Sequence, residues 1–143
     1  MTEETPKKKK MILIVIGKRK RAVARAVARE GTGKIKINSM PIEIYKPRLV
    51  QLRLSEPVMI AGDLAKKLDI DVTVTGGGTW GQADAARTAI ANAIVLWSKD
   101  NKLKEAYVDY DRSLLVSDPR RTEPHKPSRS TAGPRRSKQQ SKR

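Results

Sequence analysis

The stretch from Asp69 to Ser98 constrains this chain more than any other. Asp69-Ile70-Asp71-Val72-Thr73-Val74-Thr75 alternates polar and apolar residues, many of them β-branched, as a half-buried strand does. Gly76-Gly77-Gly78 interrupts it. Beyond the glycines, Ala86, Ala89, Ile90, Ala93, Ile94 and Trp97 recur at helical spacing on one face, while Arg87, Asn92 and Lys99 fall outside that face. Thr79 followed three residues on by Gln82 predicts a capping box, so the helix should begin directly after the glycines. Strand, glycines and helix start would place bare backbone N–H groups at the positive end of a helix dipole, where a phosphate fits. No Gly-Lys-Ser/Thr follows, and GxGxxG is absent, so this is not a common nucleotide loop. The pattern also suits a tight turn that lets a small-residue helix pack closely on a sheet. A phosphate bound there could belong to a nucleotide or to RNA.

Charge separates these readings. The chain has 143 residues, room for one domain, and carries a formal net charge of +16 from 31 Lys and Arg against 15 Asp and Glu. Residues 118–143 hold nine of the basic and two of the acidic side chains. Such a field favours polyanions, and nucleic acid first among them. Neither basic arm has an apolar face to insert into a membrane. There is no cysteine, so disulfides and thiolate metal sites are excluded, and no cofactor or metal is expected. The single histidine, His125, lies between prolines in the tail and reads as a linker residue. The apolar run after Lys7–Lys10 is too short for a signal peptide, which points to a cytoplasmic protein.

Three regions follow from composition. Residues 1–10 have no apolar side chain after Met1 and read as a disordered basic arm. Residues 11–117 hold the periodic segments of a globular domain. Residues 118–143, with Ala132 as their only aliphatic side chain and four prolines, read as an extended basic tail.

Within the domain, Ile12–Ile16 is a continuous apolar run, consistent with a buried strand. Lys20–Glu30 fits helix and strand alike. Context favours strand, with Arg21, Arg25 and Arg29 opposite a row of alanines, and a hairpin through Gly31-Thr32-Gly33 to Lys34–Asn38. Lys18, Arg19, Lys20 and Arg21, following Gly17, suit a loop that grips a phosphate backbone. Pro47–Leu54 predicts one short helix and Ser55–Leu68 another, with Leu49, Leu52, Val58, Leu64 and Leu68 in the core. A further one or two turns should pack Leu103, Ala106 and Tyr107. Asp109 and Asp111 lack the partners that a paired-carboxylate site needs.

Three segments together resemble a known family. They are Gly17-Lys18-Arg19-Lys20 through Gly33–Asn38, then Gly76-Gly77-Gly78 with Gly81-Gln82-Ala83-Asp84-Ala85-Ala86-Arg87, and finally Leu114–Pro124 leading to Ser141-Lys142-Arg143. In that order they are similar to the ninth protein of the small ribosomal subunit, in its archaeal and eukaryotic form. The resemblance covers about residues 11–143 and implies a small α+β domain. Its mostly antiparallel twisted sheet would be packed by helices in the manner of the second domain of ribosomal protein S-five. It implies a structural, non-enzymatic role: binding small-subunit rRNA in the subunit head beside neighbouring ribosomal proteins, with no small-molecule substrate and no membrane. Lys18, Arg19, Lys20, Arg21, Gly76, Gly77, Gly78, Thr79, Gln82 and Arg87 would meet rRNA from the domain. Arg120, Arg121, Lys126, Arg129, Arg135, Arg136 and Lys138 would do so from the tail. Ser141, Lys142 and Arg143 would reach the anticodon stem-loop of tRNA in the peptidyl site. Two other classes stand beside this reading. A small-molecule kinase would hold ATP on the glycine loop, with Asp84 the only nearby acid for Mg²⁺. A charge-driven nucleic-acid compactor would discriminate poorly between RNA and DNA.

Overall fold

A computed structural model describes residues 11–122. Five strands form one mixed sheet in the order β1-β2-β5-β3-β4: β1 (Ile12–Arg19), β2 (Ala22–Glu30), β3 (Ile35–Ile37), β4 (Met40–Pro41) and β5 (Leu68–Thr75). All neighbours run antiparallel except β3 beside β5. Three α-helices complete an α+β domain: α1 (Arg48–Ala61), α2 (Thr79–Ser98) and α3 (Asn101–Tyr110).

The segment after Lys20 is a strand, and its alternation is what the fold uses. Ala22, Ala24, Ala26 and Ala28 face inward and are fully buried, while Arg21, Arg25 and Arg29 point outward. The alanine row leaves room for α2, whose own buried face is mostly alanine, to lie close across β1, β2 and β5. At Gly17 the two layers lie close together. A Cβ there would sit 2.2 Å from the Ala85 carbonyl oxygen and 2.7 Å from the Ala89 nitrogen. Gly17 therefore ends no strand and opens no loop; β1 continues through it to Arg19. Ile70, Val72, Ile90, Ile94, Leu54 and Leu114 supply the bulk of the core, each contributing about 1.5–3 kcal/mol by burial.

Several expectations are corrected. The hairpin partner of β2 is β1, through a two-residue turn in which Lys20 takes φ 54°. β5 then inserts between β2 and β3. The cause lies in the Gly31–Lys34 loop: the Asp69 carboxylate accepts from the backbone N–H groups of Thr32 (2.8 Å) and Lys34 (2.9 Å), while Gly31 N–H donates to the Lys67 carbonyl. That loop is bound to the start of β5, so β3 lies on the far side of β5. These amides hold the Asp69 carboxyl below its ordinary range, Lys34 foremost and then Thr32.

The two short helices expected between Pro47 and Leu68 are one continuous α1 with Pro57 inside it, followed by a 3-10 segment (Gly62–Lys67). Proline leaves one helical carbonyl without its N–H, but the break in direction comes later, at Gly62 with φ 54°. The Pro57 carbonyl itself accepts from the buried Tyr107 hydroxyl at 2.6 Å, which ties α1 to α3. Burial pushes that phenol well above its usual range. Leu68 is core and Val58 and Leu64 pack partly against it, whereas Leu49 and Leu52 are exposed. In α3, Leu103 and Tyr107 are buried and Ala106 is exposed.

Candidate nucleic-acid interface

The glycine stretch does what a close turn requires. Gly76 and Gly77 take φ 74° and 69°, backbone that favours glycine. They lie against the β1–β2 turn: a Cβ on Gly76 would be 2.7 Å from the Arg21 carbonyl oxygen, and one on Gly77 would be 3.0 Å from the Ala22 nitrogen. Two segments far apart in sequence, 18–21 and 76–79, are thereby brought side by side.

The helix start differs in detail from a capping box. Gly78 is the N-cap, no side chain caps α2, and no acidic residue lies in its first turn. Gln82 instead donates its side-chain amide to the Gly76 carbonyl at 3.1 Å, holding the glycine turn closed. The first amides of α2 have no acceptor within the helix, and residues 76–80 are exposed. Lys18, Lys20 and Arg21 are exposed beside them, and among the described residues they form no ion pair. A positive helix terminus flanked by unpaired cations is an anion surface.

Trp80 belongs to this surface and was not singled out by sequence reasoning. It is 56% exposed on the first turn of α2, where an indole face is free to stack on a base. Its signal was legible: a tryptophan one residue past the expected helix start lies off the Ala86–Ile90 core face.

Arg19, Arg87 and Arg120 have other partners. They belong to a chain of alternating charges that runs Arg120, Asp118, Arg19, Asp84, Arg53, Glu56, Arg87, Asp111. Arg87, expected to add charge for rRNA, is only 2% exposed. Its Nη1 and Nη2 each donate to Asp111 Oδ2 at 3.0 Å. Nη2 also lies 2.7 Å from Glu56 Oε2, close enough for an ion pair but off the hydrogen-bonding angle. Burial opposes ionisation of Asp111, but the Ser113 hydroxyl and N–H together with Arg87 outweigh it and lower its pKa. Arg19 reaches Asp84 at 3.5 Å and also pairs with Asp118, tying the end of β1 to the root of the tail. Arg120 folds back onto Asp118 at 2.6 Å yet stays largely exposed; Arg121 is exposed as well.

Arg19, Arg53, Asp84, Arg87, Asp118 and Arg120 line a cleft of 210 Å³ that excludes the glycines at 76–78. Asp84, the one acid available to a kinase reading, is held between Arg19 and Arg53 (3.3 Å). A cleft this small does not suit a nucleotide, whose sites run from roughly 300 Å³ upward. No helix among the described residues is long and apolar enough to cross a membrane. Lys126, Arg129, Arg135, Arg136, Lys138, Ser141, Lys142 and Arg143 lie outside the described residues.

Comparison with known proteins gives the class, a ribosomal protein. Residues 17–143 match the family described as Ribosomal protein S9/S16. The chain is 52% identical over 130 residues to small ribosomal subunit protein uS9 of Methanococcus vannielii, covering 91% of this chain and 97% of that one. It is 50% identical over the same shares to its counterpart in Methanococcus maripaludis. The chain belongs to the uS9 family of small-subunit ribosomal proteins, and its role there is structural and non-enzymatic. Membership implies association with rRNA and with other proteins of that subunit.

Proposed function

We propose that this protein anchors in the head of the small ribosomal subunit through rRNA and extends its tail to tRNA in the peptidyl site, in the cytoplasm. The observation that carries the rRNA contact is the juxtaposition of the uncapped α2 start with the Lys20–Arg21 turn. Amides of residues 78–81 would donate to phosphate oxygens, and Lys18, Lys20 and Arg21 would neutralise the adjoining phosphates. Neither contact reads sequence; both fix register on a shaped RNA. Trp80 would add a stacking platform for an unpaired base. Gln82, Arg19 and Arg87 act one step back, by holding the glycine turn, the end of β1 and the helix layer in place. The one-sided packing of α2 on a mostly antiparallel sheet also supports the S-five domain-two-like arrangement.

Arg120 and Arg121 would start the tail contacts, continued by Lys126, Arg129, Arg135, Arg136 and Lys138 on rRNA. Ser141, Lys142 and Arg143 would close on the phosphate backbone of the tRNA anticodon stem-loop. Support comes from the family match, which extends through Arg143, and from the basic composition of the arm. Sedimentation of tagged protein through a sucrose gradient after a moderate-salt wash tests the first half: stoichiometric migration with small subunits is expected. Deleting residues 141–143 tests the second. Subunits should assemble normally and hold peptidyl-site tRNA more weakly, and equal tRNA affinity would refute the contact.

A further inference from the structure

The run Ile12–Ile16 has the pattern of a strand buried on both faces, yet β1 is an edge strand with one face covered. Ile12, Ile14 and Ile16 are 56%, 62% and 52% exposed on the sheet face away from α2. Register sets Ile14 beside Val27, and Lys18 beside the exposed Val23; Arg29 stands beside Ile12 and Arg25 beside Ile16. The result is a row of branched aliphatic side chains with two arginines on its inner flank. Among the described residues neither arginine forms an ion pair.

Four occupants can be compared. The chain's own residues 1–10 and 123–143 are basic, and apart from Met1 and Ala132 they carry prolines as their only apolar side chains, so they bring little to bury and charge of the wrong sign. A second copy would set Arg25 and Arg29 against the same arginines. RNA gains nothing from isoleucine, and the exposed Asp71 lies next to Val27 in the adjoining strand and repels phosphate. A protein with an apolar ridge and carboxylates placed opposite Arg25 and Arg29 satisfies both parts of the surface. We propose that the outer face of β1 and β2, centred on Ile14 and Ile16, docks another protein of the small subunit through such a surface. The proposal rests on the chain being a small-subunit constituent.

The test uses the full chain with Ile14→p-benzoylphenylalanine, and separately Val23→p-benzoylphenylalanine, incorporated into small subunits and irradiated. Both positions are exposed, so the second reads the same face if the first disturbs folding. The expected result is an adduct to a small-subunit protein, on a peptide with aliphatic residues flanked by Asp or Glu. An adduct to rRNA or to a second copy overturns the proposal, as does none from subunits that contain the variant. If a variant folds but stays out of subunits that accept the wild type, its affinity for naked small-subunit rRNA decides. Affinity within twofold of wild type places the lost contact on a protein and supports the proposal, and a larger drop overturns it. Wild-type protein that fails to sediment with small subunits refutes the ribosomal placement itself, and this proposal with it.

Discussion

Two sets of arginines on this domain have opposite fates. Arg21, in the turn before β2, and Arg25 and Arg29, on the strand's outer side, are exposed and without carboxylate partners among the described residues. Arg19, Arg53 and Arg87 are threaded between Asp118, Asp84, Glu56 and Asp111. Strand parity decides much of the difference. In β1 the inward positions include Val15, Gly17 and Arg19, so Arg19 meets Asp84 on α2 while its neighbour Lys18 points away. A basic residue in a polyanion-binding protein is thus not by itself a binding residue: the paired set ties β1, α1 and α2 to Asp111 and Asp118, and the unpaired set is left available to a partner.

The largest effect expected from breaking this contrast is at Arg87. Arg87→Ala would remove a fully buried side chain and leave the partly exposed Glu56 and Asp111 facing each other, and should cost about 2–3 kcal/mol, read by urea unfolding. Arg21→Ala should change stability by no more than about 0.5 kcal/mol. Equal losses for the two would erase the distinction. Next comes Gly17→Ala, whose methyl meets α2 backbone and should cost about 1–3 kcal/mol with no direct effect on RNA contacts. Trp80→Ala should leave unfolding unchanged and weaken rRNA binding by about 1–3 kcal/mol, measured by filter binding.

The smallest effect is on acid stability. The folded-state pKa of Asp111 is depressed, so its contribution is complete above the unfolded carboxylate range and is lost as pH falls through the lower folded value. Asp111→Asn should therefore flatten the acid limb of the stability curve below about pH 4. An unchanged acid limb would show that Asp111 is not held by Arg87 and Ser113.

Much of the domain was legible in sequence because its signals are local. The β5 alternation, the glycine stop, the alanine face of α2 and the outward arginines of β2 each follow from period and composition. What was hidden depends on distant partners. The strand order turns on Asp69 binding the loop before β3, a contact across 35 and 37 residues. Arg87 read as a surface charge because nothing nearby in sequence announces Glu56 or Asp111. Pro57 read as a helix start, whereas Tyr107, fifty residues on, packs against it and binds its carbonyl. The isoleucines of β1 gave a true hydrophobic signal whose outward half no segment of the described domain covers. Trp80, on the exposed side of α2, is part of the proposed interface and was available from the wheel but not taken from it.

The most direct test of the central claim is sucrose-gradient sedimentation of small subunits carrying Lys20→Ala with Arg21→Ala, over a series of salt concentrations. The account predicts a protein as stable as wild type that leaves the subunit at lower salt, with the slope of log affinity against log salt reduced by about 0.7–0.9 for each phosphate contact removed. Retention identical to wild type across the series would contradict it.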